Sequence, residues 1–411
     1  MTFIKSLALV LFIYSFSVIS YGSETCTPST PDGVLKCIQN NHPELVKSIA
    51  ISQIENELSA QASASKNPTL SLEAALGKNM GNKQQQLEIR FSQAIQTNSL
   101  KAAKKMLMLS DVNDLKTNNL KKLEEVTLDS VKNIIRFSQI NFEMEKINEA
   151  LIKFTSISKL YSNRPKLNPE NEATLGMIQI AINNYQIKIQ QLLKEKQEIS
   201  SNIKLAGNLS EKDIDNLNSK IKLSWPKINA NNLDLQSSNM QTKRDLISLS
   251  MAKLDYSKES LWEELSVDLI LQKNTDGQND EKLYGLGVKI PLTVFNRNQG
   301  EISLNSLQLQ KAKDLYDFEK NKNELELQNL ISQYHNSIQI LSQLISDNQI
   351  EKRHQKIESN FSLGLISGPV LVEVHRQDLE YLETKHSEEL RALEMLWKIY
   401  IHNGTFLNQK I

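Results

Sequence analysis

Apolar residues alternate with other residues in four short stretches of the chain. Leu70, Leu72, Ala74 and Leu76 form the first; Leu87, Ile89 and Phe91, continued in register by the polar Gln93, the second. Leu265, Val267, Leu269 and Leu271 form the third, and Tyr284, Leu286, Val288, Ile290 and Leu292 the fourth. A period of two over about ten residues predicts strands with one apolar face. Polar stretches, Gly77–Lys83 and Lys273–Lys282, join them in pairs. Ile270 breaks the polar side of the third strand, and Gly285 and Gly287 put small residues on one face of the fourth.

Between the strands the period changes to three and four. Leu120, Leu123, Val131, Ile134, Met144, Ile147, Leu151 and Phe154 mark a helix over about 98–160, which contains neither glycine nor proline. Ile331, Tyr334, Ile338, Leu341 and Ile345 continue such a pattern, predicting one uninterrupted helix over about 301–363. Sixty helical residues span about 90 Å, and sustained three-and-four spacing points to coiled-coil packing. Each long helix meets a breaker, Tyr161–Pro169 and Phe361–Pro369, beyond which helices resume over about 170–205 and 370–401. Shorter helices are expected ahead of the strand pairs, over about 34–64 and 233–260.

The two halves repeat. A shift of 199 residues lays Phe91 on Ile290 and the first breaker on the second. The organisation read from this is a leader over 1–22, a first helix–strand–strand–helix–helix repeat over 23–205, a linker over 206–232, a second repeat over 233–404 and a tail over 405–411. Lys5, the apolar run from Leu7 to Ile19 and the small residues Ser20 and Gly22 carry the leader reading, that of a secretory signal. Cys26 and Cys37 follow it; in an exported chain they have the means to pair, and the sequence leaves both states open.

Composition narrows the function classes. The chain has 411 residues, with 48 basic and 48 acidic side chains, no net charge and hence no basic excess for nucleic acid. Thirteen glycines and nine prolines are about 5% of the chain, less than half the usual share of about 12%. That shortage excludes a loop-rich all-β fold. No nucleophile constellation, phosphate loop or cofactor motif appears, so no enzyme activity and no cofactor is expected. His375 and His386 lie eleven apart on one predicted helix, with no further ligand at i+4 from either, so no metal site is expected.

Four strands of membrane-spanning length cannot bury an apolar face or satisfy two sheet edges alone. Three copies would supply twelve strands and a closed wall, and would let the helices assemble into a tube; two or four copies would also close. The expected fold class is therefore mainly α, with long helical hairpins and a small membrane β part closed by oligomerisation; the resemblance given below implies the twelve-stranded barrel of a homotrimer. Leu70, Leu72, Leu87, Ile89, Phe91, Leu265, Val267, Leu269, Leu286, Val288 and Ile290 would face outer-membrane lipid.

This repeat resembles the TolC-type outer-membrane efflux channel family. Gly285–Glu301, with its Phe295-Asn296-Arg297-Asn298-Gln299-Gly300 run, is most like the branch serving cobalt–zinc–cadmium type heavy-metal efflux. Asn67-Pro68 and Phe91-Ser92-Gln93 look like the opening strand pair, and Phe361–Val370 with Leu371, Glu373, Arg376 and Gln377 like the periplasmic tip. The resemblance implies the exit duct of a tripartite pump, with a periplasmic adaptor protein and an inner-membrane transporter as partners. It implies adaptor docking at the tips: Arg164 and Pro165 in the first, and Leu363, Gly364, Leu365, Ile366, Ser367 and Gly368 in the second. Glu373 and Asp378, one to two turns further, are expected at a tunnel gate. A type I protein-secretion duct shares this architecture. A periplasmic structural or adaptor coiled coil is the rival from another class.

Overall fold

In the computed structural model, residues 26–79, 82–215, 217, 221–228, 236–276 and 279–411 are described. The leader reading over 1–22 lies outside them. Helices α1 (Pro31–Asn41) and α2 (Ser48–Ser63) come first, where one helix over 34–64 was expected; the chain is non-helical from His42 to Lys47, around Pro43, which cannot donate to a continuing helix. Strands β1 (Thr69–Asn79) and β2 (Asn82–Ala94) follow, then α3 (Asn98–Ser162) and α4 (Pro169–Gly207). A short α5 (Glu211–Asp215) leads through irregular chain to α6 (Ser238–Glu259), β3 (Ser266–Asp276) and β4 (Asn279–Lys289).

The second long helix is not continuous. It divides into α7 (Gln299–Gln343) and α8 (Asp347–Ser362), before α9 (Gly368–His402). The break carries no glycine or proline; instead Ser346 and Gln349 cap each other's backbone as a capping box. Tyr381 of α9 donates its hydroxyl to the Ile345 carbonyl at 3.1 Å, satisfying a group that the interrupted helix frees.

The four strands form one antiparallel sheet in the order β1-β2-β3-β4. The expected turns are shorter than the polar stretches suggested, because pairing continues to Asn79↔Asn82 and Asp276↔Asn279. Ladder bonds need backbone groups rather than apolar side chains, so polar sequence extends the strands. The joint between the repeats is the β2–β3 pairing, with Phe91 opposite Leu269 and Ile89 opposite Leu271.

α3 has 65 residues and so runs about 97 Å from the sheet to the far tip. Its middle carries the main core. Ile134, Ile135, Phe137 and Ile140 of α3 pack in one cluster with Val34 and Ile38 of α1, Ile199 and Ile203 of α4, and Leu393 and Trp397 of α9. Phe406, in the tail, joins this cluster, and a Cys26–Cys37 disulfide ties the chain's start to α1. A second cluster sets Leu327, Ile331 and Tyr334 of α7 against Met395, Leu396 and Ile399 of α9. Among the described residues no helix is long and apolar enough to cross a membrane.

Candidate functional site

Functional features gather at the two ends of the long helices. At one end, register places the apolar residues of all four strands on one face of the sheet. Leu70, Phe91, Leu269 and Leu286 form one cross-strand row; Leu72, Ile89, Leu271 and Tyr284 form the next. Leu286 is 78% exposed and Leu72 65%, although both are large and apolar. Leu70, Leu87, Phe91, Leu269, Val288 and Ile290 are exposed as well, while Ile89, Leu265 and Val267 are half-buried. Leu265 and Ile290 fall just outside the strands, whose ladders run between Ser266 and Lys289 at that end. An apolar face of this size, uncovered within one chain, marks a surface that meets lipid or another protein.

The opposite face is polar. Arg90 bonds Glu88 at 2.6 Å and lies 4.0 Å from Asp268. Ile270, out of pattern in the sequence, lies on this polar face, opposite Gly285 and within van der Waals reach of where Cβ atoms on Gly285 and Gly287 would stand. Its side chain occupies the space that the two glycines leave. Beyond β4 the chain reaches α7 through Asn298, whose left-handed backbone (φ 59°) suits asparagine. The Asn298 amide donates to the Ser257 carbonyl and to Glu301, each at 2.8 Å.

At the other end the two tips meet. Arg164 of the first and Gly364, Leu365, Ile366, Ser367 and Gly368 of the second line one cleft of about 700 Å³. Pro165 and Leu363 are exposed beside it, and Leu363 and Leu365 are about 70% exposed. The Arg164 guanidinium lies over the Tyr161 ring at 5.0 Å. Gly364 adopts φ 73°, a conformation that glycine takes without strain.

The two acidic residues expected at a gate have different surroundings. Glu373 is exposed and bonds Arg376 and Gln377 of its own helix, which hold its carboxyl down at about 2. Asp378 is half-buried between α8 and α9, bonded to Arg353 and 3.3 Å from His354 Nδ1. Burial pushes the Asp378 carboxyl up, but His354 and Arg353 outweigh it and keep it below the ordinary range.

His375 and His386 both face inward but have separate partners. His386 Nδ1 lies 2.6 Å from Glu143 Oε1. His375 is 5% exposed and meets His354 edge-on, with ring centroids 4.3 Å apart. His354, Glu358 and His375 each present a ligand atom within 4.8 Å of the other two. Sequence spacing alone does not single out these three residues as a group. His354 and Glu358 stand at i,i+4 on α8, a spacing visible in the sequence, but the third ligand comes from another helix across the tip.

No family model and no curated protein matches the chain. Among solved structures it is similar to the outer membrane protein VceC of Vibrio cholerae, with TM-score 0.63 and 11% identity over 91% of this chain and 96% of that one. The Campylobacter jejuni CmeC outer membrane channel aligns with TM-score 0.62 and 11% identity over 94% of this chain and 90% of that one. The Neisseria gonorrhoeae MtrE outer membrane channel, in its open state, aligns with TM-score 0.62 and 8% identity over 92% and 89%. The chain has the fold of an outer-membrane channel.

Proposed function

We propose that the chain is the outer-membrane exit duct of a tripartite efflux pump, a passive channel rather than an enzyme. Three copies close their sheets into a twelve-stranded barrel, apolar face to lipid and polar face to the lumen. Their helices form the periplasmic tunnel beneath it. The observation that carries this reading is the exposed apolar face of a sheet with two open edges, on a fold shared with outer-membrane channels. Open edges are not tolerated in lipid, so closure by further copies follows. The tips around Arg164, Pro165 and Leu363–Gly368 are the docking points for a periplasmic adaptor, which links the duct to an inner-membrane transporter. Exposed Leu363 and Leu365 supply apolar contact there. Glu373, exposed and paired with Arg376 on its own helix, faces the gate; Asp378 contributes by holding α8 to α9. Heavy-metal cations are the cargo suggested by the Asn296–Gly300 run.

The test is extraction from outer membranes in detergent, mass by light scattering and conductance in a planar bilayer. A trimer-sized particle with a small, defined conductance is expected, and growth of a deletion strain on toxic metals then tests the cargo. A water-soluble monomer or dimer without conductance overturns the duct and favours a periplasmic coiled-coil role.

A further inference from the structure

Helix α8 is held loosely. None of its described residues is buried, and it is cut off from α7 by the break at Leu344–Ser346. It is tied to α3 by two ion pairs, Lys146–Glu351 at 3.1 Å and Lys153–Glu358 at 3.0 Å. Its inward side carries His354 and Glu358, one helical turn apart and therefore on one face.

Opposite them on α9 stands His375. The Glu358 Oε1 atom lies 3.4 Å from His354 Nε2 and 3.9 Å from His375 Nε2. Tetrahedral coordination at zinc distances places neighbouring ligand atoms about 3.3 Å apart, so side-chain movements on the order of an ångström bring these atoms, which lie within 4.8 Å of one another, onto a common centre. Three further features fit a cation there. His375 Nε2 is buried and has no hydrogen-bond partner, an orphaned polar atom 3.9 Å from Glu358 Oε1. His354 Nδ1 lies 3.3 Å from Asp378 Oδ2, the carboxylate–imidazole arrangement that fixes a ligating histidine's tautomer, and Arg353 holds Asp378 in turn. The other oxygen of Glu358 is taken by Lys153, which leaves Oε1 to the cluster.

We propose that His354, Glu358 and His375 form a binding site for a divalent transition-metal cation of the zinc class, which clamps α8 onto α9 just above the tip. Two imidazoles and one carboxylate are a ligand set that zinc accepts with a fourth position left over. That position opens on a cavity of about 260 Å³ between α3, α4, α8 and α9, lined by His354, His375, Asp378 and Tyr185. The site is built within one chain, between its own helices α8 and α9. The cation would join a helix with few buried contacts to one that is anchored in the core, so the order of the tip would follow metal supply.

The test uses the full-length protein in detergent, stripped with a chelator and titrated calorimetrically with Zn²⁺, with Co²⁺ as an optical probe of geometry. The expected result is about one ion per chain, a tetrahedral Co²⁺ spectrum, and slower amide hydrogen exchange in α8 once zinc is added. His375→Ala and Glu358→Gln are expected to abolish the Co²⁺ spectrum, and Asp378→Asn to weaken binding about 10- to 100-fold. His402→Ala is the histidine control and leaves binding intact. Absence of stoichiometric binding to the wild-type chain overturns the proposal without reference to any variant. Binding that survives in both His375→Ala and Glu358→Gln also overturns it, because the ion then sits elsewhere.

Discussion

Gly368 stands against Thr174 so closely that a Cβ on the glycine would lie 2.1 Å from the threonine Cγ2. Thr174 is buried, and its hydroxyl donates to the Glu170 carbonyl at 2.9 Å, which fixes the methyl toward the glycine. This contact joins the two hairpins at their tips. The helices involved begin at Pro169 and Gly368, 199 residues apart, the same interval that relates the two repeats.

Gly368→Ala is therefore expected to destabilise the protein by about 1–3 kcal/mol, because the packed threonine must shift or the helices separate. Thr174→Ser removes the offending methyl and keeps the hydroxyl, so the double variant should recover most of that loss. Chemical unfolding of the four proteins of this cycle measures it. Additive losses would show that the contact is not what makes glycine necessary.

A second joint lies in the middle of the bundle. Arg136 of α3 bonds Glu143 at 2.7 Å on its own helix and Glu195 of α4 at 2.7 Å, while His386 of α9 bonds the same Glu143 oxygen. The Glu143 side chain is fully buried; burial pushes its carboxyl up, yet His386 and Arg136 together bring it below the ordinary value. Arg136→Met should cost about 3 kcal/mol, since it strands a buried carboxylate. A loss under about 1 kcal/mol in urea unfolding would mean that His386 alone satisfies Glu143.

The base of the sheet responds to acid. Glu263 accepts from Lys104 at 2.7 Å and pairs with Lys66 at 3.1 Å, joining the second repeat to the first. Lys104 above all, together with Lys66, lowers the Glu263 carboxyl from 4.5 to about 2. A carboxyl depressed on folding contributes stability above its unfolded value, and that contribution fades as pH falls from about 4.5 to about 2. Thermal unfolding across that window should show a steeper loss for wild type than for Glu263→Gln. Parallel curves for the two would detach Glu263 from the acid response.

The apolar face can be tested against the polar one. Leu269 lies mid-row between Phe91 and Leu286, whereas Glu73, opposite Glu88, lies on the other face. If the apolar face meets lipid, Leu269→Arg should cost about 2–4 kcal/mol and lower the yield of assembled protein in outer membranes. Glu73→Arg should leave assembly intact and alter ion selectivity instead. Equal assembly of both variants would contradict a lipid-facing row.

The sequence alone determined the order of helices and strands, though not the breaks that divide α1 from α2 and α7 from α8. Alternation at Leu70–Leu76 and Tyr284–Leu292 marked strands, three-and-four spacing from Leu120 to Phe154 marked a long helix, and the 199-residue repeat located both tips. These are local signals, since each strand or helix writes its buried face into its own period. What the tertiary structure decided were relations between distant segments. The pairing of Phe91 with Leu269, the capture of the Ile345 carbonyl by Tyr381 and the binding of Asp378 to Arg353 and His354 are of this kind. The convergence of His354 and Glu358 on His375 belongs with them. None has a periodic trace, because each depends on where two helices or strands come to lie in space, and that is settled by packing and register rather than by either segment's own pattern.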